Sequence, residues 1–221
     1  MKILYTFAFI LIYNFCYSQR FSVELSYKYL YAKQSDREIQ TYNFSRPYLS
    51  EKQPLFMNGF KSGVNYFFKP NNSNSLGLNL AYSFFTSNAA NTKFNNRFNL
   101  QFLSLGSTYR FRLFKKHENI ISNLGVNVLM SELTRRINGE KLILDETSLK
   151  AFGIGGEINF KNSYVFLKNE KINFAAILKI DYTPYFYNPK SEVVINQTKG
   201  LVYKNWCSIY SVIAGFEINL K

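Results

Sequence analysis

Phe21-Ser22-Val23-Glu24-Leu25-Ser26-Tyr27-Lys28-Tyr29-Leu30-Tyr31 alternates with a period of two. Phe21, Val23, Leu25, Tyr27, Tyr29 and Tyr31 share one face, and Ser22, Glu24, Ser26, Lys28 and Leu30 share the other. A helix repeats its apolar positions every three to four residues, so this stretch is a β-strand with two chemically different sides. Seven further segments follow the same rule. Their apolar faces are Phe60/Val64/Tyr66/Phe68, Leu76/Leu78/Leu80/Tyr82/Phe84, Leu103/Leu105/Tyr109/Phe111/Leu113, Leu124/Val126/Val128/Met130, Phe152/Ile154/Ile158/Phe160, Ile172/Phe174/Ala176/Leu178/Ile180/Tyr182 and Tyr210/Val212/Ala214/Phe216/Ile218/Leu220. The pattern therefore predicts an all-β chain of eight strands.

The expected connections are residues 32–57, 70–75, 86–99, 115–119, 132–149, 161–171 and 183–205, long polar stretches alternating with mostly short ones. Long loops on one side and short turns on the other are expected of an antiparallel up-and-down transmembrane barrel. All five prolines (Pro47, Pro54, Pro70, Pro184 and Pro189) fall in these expected connections, as an unbroken hydrogen-bonded ladder asks.

Alternation alone does not say which face meets water, since a soluble secreted barrel with an apolar interior alternates equally well. The polar faces are mostly Ser, Gly, Asn, Ala and Thr, too neutral for an ordinary water-facing surface. Aromatic residues sit on the apolar faces near strand ends (Phe21, Tyr29, Tyr31, Phe68, Tyr82, Phe84, Phe160, Tyr182, Tyr210, Phe216), as at membrane interfaces. The sequence runs to Leu220 and Lys221 within the last expected strand, so no covering helix is expected after it. These features favour lipid outside and a polar lumen.

The chain has 221 residues, 27 Lys and Arg against 14 Asp and Glu, a net charge of +13, and 18% aromatic residues. So many Phe and Tyr exclude a disordered chain, and two cysteines exclude a disulfide scaffold. The basic balance would suit nucleic acid were it not for the first residues. Met1-Lys2 is followed by an unbroken apolar run through Tyr13, and a cut after Ser18 places Cys16 at position −3. That order predicts a cleaved signal peptide over residues 1–18 and a barrel domain over 19–221, exported and without a nucleic-acid partner.

The whole mature chain, from the opening Phe21-Ser22-Val23-Glu24-Leu25-Ser26-Tyr27 to the closing Ala214-Gly215-Phe216-Glu217-Ile218-Asn219-Leu220-Lys221, resembles the small eight-stranded, porin-like outer-membrane β-barrel proteins of Gram-negative bacteria. The resemblance implies residence in the outer membrane, contact with its lipids, and insertion by the outer-membrane assembly machinery. That machinery reads an aromatic-ended final strand in the family, whereas this chain closes on Leu220 and Lys221.

Assigning the polar face to the lumen places Glu24, Lys28, Lys61, Arg110, Arg112, Glu157, Lys179, Asp181 and Glu217 inside, nearly balanced in charge. Strands four and eight face one another across a ring of eight. Arg110 and Arg112 are therefore expected to reach Glu217, Glu157 or Glu24. The echo of Glu157-Ile158-Asn159-Phe160-Lys161 in Glu217-Ile218-Asn219-Leu220-Lys221 puts the two glutamates at similar depth. Such a cluster either plugs the barrel by neutralising buried charge or gates it by exchanging ion-pair partners.

An enzyme is not expected. The only histidine, His117, sits in a predicted turn, and no nucleophile elbow, zinc motif or phosphate loop occurs. No cofactor or metal is expected. Gly153-Ile154-Gly155-Gly156 lies within a strand and reads as close packing at the barrel wall. The longest loop carries Tyr42, Phe44, Tyr48 and Phe56, a pattern suited to an envelope partner or small ligand. Basic residues in the exposed loops (Lys93, Arg97, Arg135, Arg136, Lys190, Lys199, Lys204) suit the phosphates of surface lipids. The function expected is that of a non-enzymatic outer-membrane component binding through its loops, with a narrow gated pore for small or hydrophobic solutes as the alternative.

Overall fold

The computed structural model of the chain describes residues 21–31, 40, 43–44, 52, 54–55, 58–68, 74–91, 94–114, 116–139, 149–187 and 206–220. The predicted signal peptide lies outside these residues, as do Tyr42, Tyr48 and Phe56.

Eight strands run in sequence order: β1 (Phe21–Tyr31), β2 (Asn58–Phe67), β3 (Ser75–Asn91), β4 (Phe94–Phe111), β5 (Ile120–Gly139), β6 (Leu149–Lys168), β7 (Ile172–Tyr187) and β8 (Trp206–Leu220). Each pairs antiparallel with the next, and β8 returns to β1 with Phe21 opposite Leu220 and Tyr31 opposite Tyr210. Closure leaves no unpaired edge, the condition for a sheet to cross a bilayer.

The polarity is that of a membrane barrel. Leu25, Leu105, Val128, Ile154 and Phe216 on the outer wall are 60–65% exposed, whereas Glu24, Lys28, Lys61, Glu157 and Glu217 inside are at most 2% exposed. An apolar surface running round the whole circumference suits hydrocarbon, not water. The soluble alternative requires the reverse.

Several strands outrun the sequence-based expectation. Residues 86–99 were expected to loop, yet β3 and β4 stay paired as far as Asn91 opposite Phe94. β5 continues to Gly139 and β7 to Tyr187. Toward the long-loop end the outward positions become Thr86, Asn88, Arg97, Asn99 and Gln101, so the apolar signal fades while the backbone ladder persists. At the other end, β6 extends through Lys168 with a register shift between Val165 and Leu167. The expected connection 161–171 thereby shrinks to residues 169–171, closed by the Asn169 N–H donating to the Ile172 carbonyl at 2.9 Å.

Pro184 is not in a connection but inside β7, opposite Ser208 of β8. The β6–β7 ladder pairs Gly155 with Tyr185 and resumes at Ile158 with Tyr182. Pro184 falls in that gap because it has no N–H to donate.

Candidate functional site: the closed lumen

Small inward residues on β1, β2 and β3 leave room for long side chains, and the middle of the lumen fills with charge. Lys28 Nζ on β1 donates to Asp181 Oδ2 on β7 at 2.8 Å. Lys61 Nζ on β2 donates to both carboxylate oxygens of Glu157 on β6, at 3.0 and 2.9 Å, and stands 3.5 Å from Asp181. Lys179 adds its charge 3.6 Å from Glu157. Asn127 and Asn159 each donate to Glu157 Oε1 at 3.0 Å, and Ser211 donates to Asp181.

A second group lies toward the short-turn end. Lys161 Nζ is 3.1 Å from Glu217 and 3.4 Å from Glu24, which are cross-strand partners on β8 and β1. Ser163 donates to Glu217 at 2.8 Å, and Arg110 Nη2 is 3.8 Å from the same carboxylate. Arg110 also donates to Asn219 at 3.1 Å and lies over the Phe67 ring, 3.6 Å from its centroid. Burying this many ions costs several kcal/mol each unless opposite charges and hydrogen bonds meet them. Here the carboxylates Glu157, Asp181 and Glu217 each face at least two cations.

Toward the long-loop end the lumen turns apolar. Leu30, Phe85, Phe98, Leu100, Phe102, Leu129, Leu133, Tyr185 and Ile209 form one buried cluster, with Leu55 packed against it. Phe102 meets Phe85 and Tyr185 edge-on at 5.9 and 5.7 Å, a favoured aromatic geometry. The Ser87 hydroxyl donates to the Pro54 carbonyl, which ties the end of the first long connection to this cluster.

The structure brings together Glu24, Lys28, Lys61, Arg110, Glu157, Lys179, Asp181 and Glu217 inside the barrel. Arg112 is a correction. β4 ends at Phe111, and Arg112 is exposed beyond it, so only Arg110 crosses to β8. Its lumenal place is taken by Lys161, which the expected connection at 161–171 concealed. The inward series Glu157, Asn159, Lys161, Ser163, Val165 carried the missed signal. Glu157 and Glu217 belong to different ion groups, with Lys61 and Lys179 on one and Lys161 and Arg110 on the other. The apolar cluster was also missed, although Phe85, Phe98, Leu100 and Phe102 interrupt an otherwise polar face. In the first long connection Phe44 is 90% exposed. His117 is exposed in the turn after β4, its ring edge-on to Phe114 at 6.4 Å.

No known family model and no curated protein matches the sequence. Among solved structures the chain is similar to Neisserial surface protein A, at 14% identity over 92% of this chain and 98% of that one, TM-score 0.44. It is also similar to Ail, the attachment invasion locus protein of Yersinia pestis, at 10% identity over 90% and 97%, TM-score 0.43. A major outer membrane protein of Thermus thermophilus matches at 10% identity over 89% and 99%, TM-score 0.45. The assignment of the fold rests on the barrel's own geometry: eight strands closed on themselves, ions inside and an apolar wall outside make this chain an outer-membrane-type transmembrane β-barrel, and its place is the outer membrane.

Proposed function

We propose that the protein is a non-enzymatic component of the bacterial envelope that binds an envelope partner, a lipid or a small ligand through its extracellular loops, with the barrel as a rigid anchor. The observation that carries this reading is the double closure of the lumen. Phe85, Phe102 and Tyr185 seal the long-loop end, and the ion layers with Arg110 over Phe67 fill the rest. A barrel of eight strands has an interior that side chains fill, and this one is filled by both apolar and ionic layers. Work done outside the lumen then falls to the loops, where Phe44 stands exposed on the longest connection.

A second reading, a narrow gated pore, draws on shared ions. Lys61 is held between Glu157 and Asp181, and Glu217 between Lys161 and Arg110, the arrangement that partner exchange needs. Conductance of the purified barrel in planar bilayers separates the two. Silence at both polarities and across pH is the expected result. Discrete current steps in the unmodified protein would overturn the surface-component reading in favour of the pore.

A further inference from the structure

Ser75, Arg110 and Asn123 stand in one row across β3, β4 and β5 at the short-turn mouth, since the register sets Arg110 directly opposite both neighbours. Directly opposite residues share a face with their Cβ atoms about 4.5–5.5 Å apart, so the three form one patch of the lumen wall. The patch is rich in hydrogen-bond donors that the protein leaves unused. The Ser75 hydroxyl and the Asn123 side-chain nitrogen, in residues 5% and 1% exposed, have no hydrogen-bond partner among the described residues. The oxygen of the same Asn123 amide accepts from Arg110 Nε at 3.4 Å, which sets the unused nitrogen beside the guanidinium. A buried donor without an acceptor is costly, and folded proteins rarely keep one.

Arg110 is unsaturated as well. Its Nη2 donates to the Asn219 side-chain oxygen at 3.1 Å, and its Nη1 makes no hydrogen bond among the described residues. Glu217 does not fill the gap, because Lys161 holds one of its carboxylate oxygens at 3.1 Å and the Ser163 hydroxyl the other at 2.8 Å. Arg110 stays 3.8 Å from that carboxylate, outside hydrogen-bond range. The guanidinium is thus bonded only to neutral amide oxygens, with the Phe67 ring against its face. Its side chain is 16% exposed, against at most 5% for the other described side chains in the lumen's ion pairs, so a solute entering past the short turns meets it first.

Unused donors around a cation select an anion, and the planar guanidinium fork matches the two oxygens of a carboxylate. The lumen's own charge sets how much charge that anion carries. Its ion pairs join five cations to four carboxylates among the described residues, an excess of one. A monoanion balances the excess, whereas a dianion overshoots it beside Glu217. We propose that Arg110, Asn123 and Ser75 form a site for the carboxylate of a small solute at the short-turn mouth. The site goes beyond the loop-centred function, since it lies inside the barrel and at the end opposite the long loops.

The folded barrel in detergent tests it, with the arginine side-chain N–H signals followed by NMR during titration with acetate, sulfate or chloride. The Arg110 signal is the one lost in Arg110→Lys. The expected result is a saturable shift of that signal with acetate, at lower concentration than with sulfate or chloride. Two variants leave Arg110 in place. Ser75→Ala removes one unused hydroxyl, and it is expected to weaken acetate binding about fivefold, the worth of one hydrogen bond, while keeping or raising the thermal midpoint of the ligand-free barrel. Asn123→Asp keeps the oxygen that accepts from Arg110 Nε and fixes a negative charge at the site, so the acetate response disappears while the barrel stays folded. No saturable shift in the unmodified protein, or unchanged acetate binding in either variant, overturns the site. Equal or tighter binding of sulfate overturns the assignment to a monoanion, and equal binding of chloride overturns the assignment to a carboxylate.

Discussion

Lys161 is the side chain on which the lower ion group depends. It faces two carboxylates, Glu24 and Glu217, that the closing register of the barrel sets directly opposite each other. Without it, Arg110, 3.8 Å from Glu217, is the one cation among the described residues left in salt-bridge contact with either carboxylate. Lys161→Ala is therefore expected to cost about 3–5 kcal/mol, the usual consequence of stranding buried charge. Arg112→Ala, at an exposed position past the end of β4, should stay within about 0.5 kcal/mol. Urea unfolding of both variants in one lipid system gives the comparison, and equal losses would contradict the assignment of Lys161 over Arg112. The two residues also show what governs legibility at this scale. The two-residue period settles which way a side chain faces, but only where the strand is known to continue. The period alone turns Arg112 inward although β4 ends at Phe111, and it omits Lys161 because β6 continues to Lys168 beyond its apolar outer face.

Among the strands, β6 shows how register discriminates between residues that composition treats alike. Gly153, Gly155 and Gly156 form one small-residue run, and the run as a whole reads as close packing. In the barrel only the inward glycines are crowded: a Cβ on Gly155 would meet the Pro184 carbonyl and Tyr185, whereas on Gly156 the nearest atom is the Asn127 carbonyl oxygen at 3.6 Å. Gly155→Ala is expected to destabilise by about 1–3 kcal/mol, as overpacking does. Gly156→Ala should lie within about 0.5 kcal/mol, and the thermal midpoints of the two variants in the same detergent decide it. The number, order and facing of the strands were legible from periodicity because an apolar wall repeats with a strict period of two. Their ends were not. Above the membrane the outward residues of β3, β4 and β5 turn polar, so hydrophobic periodicity stops where the bilayer stops rather than where the hydrogen bonds do.

For the molecule as a whole, the net charge of +13 and the 18% aromatic content describe different regions. The lumen holds Lys28, Lys61, Arg110, Lys161 and Lys179 against Glu24, Glu157, Asp181 and Glu217, leaving little excess inside. Most of the positive charge therefore belongs to turns, loops and the projecting wall, at or beyond the membrane surfaces. The aromatic and aliphatic residues outside have the opposite role, and a single substitution tests it. Leu105 and Val128 are cross-strand partners on the outer wall, 60% and 63% exposed. In hydrocarbon, Leu105→Arg or Val128→Arg should destabilise the folded barrel by about 2–4 kcal/mol near the bilayer midplane. On a water-facing wall the same changes fall within about 0.5 kcal/mol, as exposed surface substitutions do. Equilibrium unfolding in phospholipid vesicles measures the difference. A neutral result at both positions would mean that this wall meets water and that the apolar belt is not the membrane-spanning surface.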